Sequence, residues 1–171
     1  MNRRTIDILN KLNSNVEIKQ MVLQPGTEGG TESNSTVDIK ETSLQASITP
    51  RNAGSKILVI YSANIFAGRT AGTISERIAY QTLWRDTTAG AGEIANGTKL
   101  VTQALGQDLG ANSANTALSV NAGTWIWMDS PGDVNTHTYT MAIKSSNASN
   151  VTVYYYNSST YTSQMILLEL L

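Results

Sequence analysis

The stretch "WIWMDSPGDVNTHTYTMAI", residues 125–143, holds two acids, Asp129 and Asp133, and His137, the only histidine of the chain. A carboxylate that orients an imidazole can make it a general base, and a hydroxyl beside it would complete a hydrolytic site. The same residues also read as a plain connection. In "MDSPGDVN", Pro131 fixes φ, Gly132 can take positive φ, and Asp and Asn side chains bond nearby backbone. The run joins two strongly alternating segments, as a hairpin or sandwich corner should. On that reading Asp129 caps the turn and His137, between Thr136 and Thr138, is an exposed strand residue.

Other chemistry is sparse. The sequence holds no G-x-S-x-G, S-x-x-K or H-E-x-x-H motif, so no nucleophile or zinc signature stands out. "GTEGG" and "AGAGE" lack the lysine and the strand–loop–helix setting of a phosphate loop. Asp38, Glu41, Glu76, Asp86, Glu93 and Asp108 could supply a glycosidase pair, but nothing in their spacing pairs them. "GQDLGANSAN" has the composition of a calcium loop. There are no cysteines, which excludes disulfides and thiolate metal sites, and one histidine excludes a His-rich metal site. No catalytic residue and no cofactor are expected, and the chain is not read as an enzyme.

The elements around these residues are strands. Of 171 residues, 15% are charged, against roughly 25% in an ordinary soluble domain. Thr, Ser, Asn, Ala and Gly fill the difference. Ten segments alternate or run apolar, from "VEIKQMVLQ" to "SQMILLEL". Gly, Asn, Ser and Pro clusters such as "PRNAGS" and "SPGDVN" separate them, and "PGTEGGTESNST" reads as a loop without periodicity. About ten short strands at regular spacing predict an all-β fold, an antiparallel β-sandwich or jelly roll, over residues 18–171. Residues 1–17 differ. Ile8, Leu9, Leu12 and Val16 follow helical spacing and predict a short helical or extended arm that needs a partner surface. "MNRRTIDILNKLNSN" is too polar for a secretion signal, and no run of about 18 apolar residues predicts membrane insertion. A net charge of −1 gives no basic field for nucleic acid.

Alternation also predicts faces. In "NTALSVNAGTWIWM" the residues Leu118, Val120, Ala122, Ile126 and Met128 share one apolar face, which turns Trp125 and Trp127 to the polar side. In "NVTVYYYN", Tyr154 and Tyr156 oppose Val151, Val153 and Tyr155. Outward aromatics suit protein interfaces and sugar contacts. Trp125 and Trp127 are therefore candidates for a subunit interface, and Tyr154, Tyr156 and Tyr161 for a receptor or glycan contact. "SKILVIYSANIFA" and "QMILLELL" are apolar on both faces, where one wet face is normal for an antiparallel sandwich. A second copy of the chain is the simplest cover.

The order of phrases carries a resemblance. "STVDIKETSLQASITPRNAGSKILVIYSANI", then "LWRDTTAGAGEI", then "MDSPGDVNTHTYTMAI" and the closing "SQMILLEL" together resemble a β-rich domain of bacteriophage tail fibres, cyanophage ones especially. The resemblance spans roughly residues 18 to 171. It implies a β-sandwich virion domain, usually trimeric, without catalytic residues, in which the Asp-Ser-Pro run is a structural turn. The expected role is a short tail fibre or tail appendage that helps the virion attach to its host, assembled in the host cytoplasm. Other virion proteins and a host surface glycan are the expected partners, with residues 1–17 as the attachment or trimerisation arm. A capsid decoration protein of the same build is the alternative.

Overall fold

Alternating side chains decide most of the strands. In "KILVIYS" the residues Ile57, Val59 and Tyr61 are buried while Leu58 and Ile60 are half-buried, the period-2 signature of a strand. The computed structural model describes residues 17–26, 29–33, 35–63, 65–69, 77–87, 92–108, 118–120, 124–146, 151–157 and 163–171. Every regular element among them is a strand. In chain order they are β1 (Ile18–Pro25), β2 (Gly29–Ser33), β3 (Ile39–Ile48), β4 (Lys56–Ser62), β5 (Ile65–Arg69), β6 (Arg77–Arg85) and β7 (Gly92–Glu93). There follow β8 (Thr98–Asp108), β9 (Leu118–Val120), β10 (Thr124–Asp129), β11 (His137–Ser145), β12 (Val151–Asn157) and β13 (Gln164–Leu170).

All pairings are antiparallel. Sheet A has the order β1-β13-β4-β10, sheet B the order β2-β12-β5-β9, and sheet C the order β7-β3-β11-β6-β8. Sheets A and B repeat one order in consecutive strands: β1 is followed by β2, β4 by β5, β9 by β10 and β12 by β13. They are two halves of a single four-segment layer. With the two-residue β7 left aside, the described residues form eight chain segments, in the order 1-8-3-6 in this layer and 2-7-4-5 in sheet C. That is the rolled double Greek key of a jelly roll. The fold is thus an all-β antiparallel sandwich of the expected class.

The layers meet where β1 and β13 lie on β3, and where β12 lies on β11 and β6. Between them sit Leu44, Ile57, Leu83, Met141, Ile143 and Leu167 with the rings of Tyr61 and Tyr139, all buried. Burial pushes the Tyr61 phenol well above its usual pKa.

Three expectations are revised. Gly29–Ser33, read as loop, is strand β2. Its partner supplies the reason: Glu32 lies opposite Tyr154 and Gly30 opposite Tyr156, so sheet pairing overrides a weak local pattern. Second, the Gly-rich "AGAGE" is not all loop: its Gly92–Glu93 form the two-residue β7 against Ile39–Lys40 of β3. Third, Trp125 and Trp127 do not turn to a polar side. They pair with Tyr61 and Val59, whose side chains are in the core, and Trp125 packs on that core. It is Ile126 and Met128 that face out. Val120 lies opposite Ile65 and Thr124 opposite Ser62, four residues against three, so one alternation does not run through both β9 and β10.

Candidate functional site

His137 opens β11 and is buried, not exposed as expected. Its Nδ1 lies 2.7 Å from Asp86 Oδ2 and its Nε2 lies 3.0 Å from Asp133 Oδ1. Asp86 ends the β6 segment at φ 55°, a left-handed conformation that Asp tolerates better than most residues. That turn lets its N–H donate to the Thr138 carbonyl at 2.8 Å, while its Oδ1 accepts from the Thr138 N–H at 2.9 Å. Gly97 backs the same corner. A Cβ there would stand 2.9 Å from the Arg85 carbonyl oxygen, so the close approach requires glycine. With an acceptor against each nitrogen, the imidazole is held from both sides. It offers neither nitrogen to a nucleophile.

Asp129, at the end of β10, does not cap the turn. It is buried, and its Oδ2 accepts from Arg85 Nη1 at 2.6 Å and from the Tyr139 hydroxyl at 2.7 Å. Burial works against the charge on Arg85, yet the hydrogen bond and negative charge of Asp129 prevail and hold its pKa above the ordinary value. Burial, then the bond and charge of Asp129, push the Tyr139 phenol far up, so it stays a donor. Arg85 is the last residue of β6 and Asp86 follows it. Together they clamp both ends of the 129–137 connection, which crosses from sheet A to sheet C.

Within that connection the turn chemistry is as expected. Gly132 has φ 85°, and Asp133 Oδ1 accepts from the Asn135 N–H at 2.7 Å. That backbone bond is the main cause that lowers the Asp133 pKa below 3.8, aided by His137 and Arg85 and opposed by some desolvation. A folded pKa below the unfolded one gives stability that is present above the unfolded value and lost as pH falls through the folded one. Asp133→Asn is therefore expected to flatten the urea midpoint below roughly pH 4, where the unsubstituted chain keeps losing stability. Equal acid slopes for both proteins would contradict this.

A second lock joins the chain's later end to its first long turn. Glu169 on β13 is fully buried. Its Oε1 accepts from the Arg51 N–H and from the Ser55 hydroxyl, both at 2.7 Å. Residues 51–55 form the turn between β3 and β4, closed by Ser55 N–H to the Asn52 carbonyl at 3.0 Å. Sequence reading missed this carboxylate, because an acid amid "MILLEL" carries no mark of what it meets.

Of the acids considered for catalysis, Asp38 is buried, 2.5 Å from Lys99 Nζ, and accepts from Thr82 at 2.9 Å. Lys99 in turn lies 4.8 Å above the Trp84 ring, a cation–π contact. Asp86 is engaged with His137. Among the described residues no group of three or more His, Cys, Asp or Glu could hold a metal.

The candidate contact residues are spread out. Tyr154 and Tyr156 lie on β12, an inner strand of sheet B between β2 and β5. Tyr161 and the arm residues Ile8, Leu9, Leu12 and Val16 lie outside the described residues, as does most of the candidate calcium loop. Trp125 is partly buried and packs against the core. Trp127 is at the edge of sheet A and 36% exposed.

What the structure does bring together is an apolar outer face on sheet A. One cross-strand row is Met21, Leu168, Leu58 and Met128, and the next is Leu23, Ile166, Ile60 and Ile126. All eight are apolar. The four at the sheet edges are the most open: Ile126 is 66% exposed, Met21 65%, Leu23 55% and Met128 44%. A contiguous apolar patch of this kind marks a contact surface.

No family model matches the chain, and no curated protein matches it. Solved structures that are similar include one described as the infectious bursal disease virus Gx strain, at 8% identity and TM-score 0.31. Another is a D431N mutant VP2 protein of infectious bursal disease virus in T=1 particles, at 10% identity and TM-score 0.30. Each match covers 90% of this chain and 40% of the other, so the chain spans well under half the length of those proteins. At these scores neither the fold nor the role of those proteins carries over.

Proposed function

We propose that this chain is a structural protein of a phage virion, a short tail fibre or tail appendage that takes part in host attachment. The observation that carries the reading is how the phrases of the tail-fibre resemblance meet in space. "LWRD" provides Arg85 and Asp86, which hold Asp129, Asp133 and His137 of "MDSPGDVNTHTYT" through 2.6–3.0 Å contacts directly or through the turn. "ITPRNAGS" meets Glu169 of "SQMILLEL". Four phrases that lie apart along the chain are the halves of two polar locks.

In this reading the chain works as a homotrimer, residues 1–17 attach it to other virion proteins or bundle it, and the region of Tyr154, Tyr156 and Tyr161 contacts a host glycan. Trimerisation would multiply weak sugar contacts by avidity. The apolar outer face of sheet A favours one alternative, a capsid decoration protein seated on the shell. Counting copies per purified particle by quantitative mass spectrometry separates them. A number that fits a set of tail fibres is expected. A number that fits the capsomers would assign the chain to the head, and absence from the particle would end both readings.

A further inference from the structure

We infer that β10 of one copy pairs antiparallel with β1 of the next, so that sheet A continues from molecule to molecule. The inference rests on the reading of the chain as one that self-assembles, and it names the strands that do so.

Strands β1 and β10 are the two edges of sheet A. An edge strand presents unpaired N–H and C=O groups, and soluble proteins usually blunt it with charge, proline or a bulge. Here charge, proline and bulge are missing from the middle of both edges, and among the described residues no strand pairs with the outer side of either. Over Thr124–Met128 there is no charge and no proline, and the pairing of β10 with β4 runs without a register shift. On β1 the register shift lies between Ile18 and Gln20, and Lys19 and Pro25 stand at its ends. Between them Gln20–Gln24 is uncharged. Each edge thus offers a bare stretch of five residues.

The two stretches match. Since all three pairings inside sheet A are antiparallel, β1 and β10 run in opposite directions. A β1 from an identically oriented copy is therefore antiparallel to β10, and the alternation of the sheet carries on unbroken. The apolar rows carry on too. Met128 comes beside Met21 of the next copy and Ile126 beside Leu23, joining the most open apolar residues of the outer face. On the inner side Trp127 meets Val22. Both edges are neutral and apolar in the same rows, so no charge opposes the junction. The contact is head-to-tail, the kind that closes into a ring when the rotation allows, and main-chain bonds would supply much of its strength.

The test uses the full chain, which has no native cysteine. Directly opposed antiparallel residues have Cα atoms about 4.5–5.5 Å apart, within disulfide reach. Met21→Cys and Met128→Cys are made singly and together, and oxidised at the concentration where light scattering shows the unsubstituted chain associated. The double variant is expected to give disulfide-linked multimers and each single variant none. Ile126→Lys is expected to abolish association while the far-UV spectrum and melting of the monomer stay unchanged. Cross-linking by Met128→Cys alone would mean that β10 meets β10, and would overturn the pairing. Association that survives Ile126→Lys, without a cross-link in the double variant, would overturn it while leaving self-assembly standing. A strictly monomeric full chain would overturn the pairing and the trimer together.

Discussion

Asp129→Ala is expected to lower the free energy of unfolding by about 3–5 kcal/mol, the range for removing one partner of a buried charge pair. The carboxylate has two donors on one oxygen, Arg85 and the Tyr139 hydroxyl. The Asp129 and Arg85 side chains are 9% and 15% exposed, so water replaces little of what is lost. Removal leaves a guanidinium without its closest anion and a buried hydroxyl without its acceptor. Tyr139→Phe deletes only one bond and should cost about 1 kcal/mol. Urea unfolding measures both. Because Arg85 and Asp129 share one network, the double substitution Arg85→Ala with Asp129→Ala should cost less than the sum of the singles. Additive losses would show that the pair contributes nothing as a pair.

The second large effect is expected at Glu169. Glu169→Ala strips the acceptor from the Arg51 N–H and the Ser55 hydroxyl. Hydrogen bonds to a charged group contribute roughly 1.5–3 kcal/mol each. A loss of about 3 kcal/mol is therefore expected, concentrated in the turn between β3 and β4. Amide hydrogen exchange locates it: Arg51 and Ser55 should lose protection in Glu169→Ala more than their neighbours on β4 do. Glu169→Gln keeps an acceptor oxygen and should retain part of the stability. Unchanged stability of Glu169→Ala would remove this lock from the account.

The sequence showed the sandwich because the strands that build it alternate or run apolar between turn-forming clusters. Ile57, Val59 and Tyr61 illustrate the first, and Pro131 with Gly132 the second. It showed less where partners decide the outcome. Gly29–Ser33 has no pattern of its own and becomes a strand because β12 pairs with it. Trp125 and Ile126 exchange the faces that alternation assigned, since their side depends on register with β4. The histidine question is of the same kind. Nothing in "NTHTY" tells that Asp86, 51 positions away, reaches Nδ1. The turn reading of "DSPGDVN" stands, while the polar residues at its ends turn out to anchor the two layers to each other.

The apolar surplus on β4 and β13 was legible as a pattern, and the structure gives it a place. Leu58, Ile60, Ile166 and Leu168 form the middle of the outer face of sheet A. A face of that kind is costly to leave in water, at about 25 cal/mol per Å² of apolar surface. That cost is the physical reason to look for this chain inside an assembly.

Antibody-gold labelling of intact virions with serum raised against this chain tests that placement most directly. The account predicts gold at the tail, at its tip or along its side. Gold spread over the head would contradict the appendage reading and make the outer face of sheet A a contact to the shell, and virions without gold would contradict a virion role altogether.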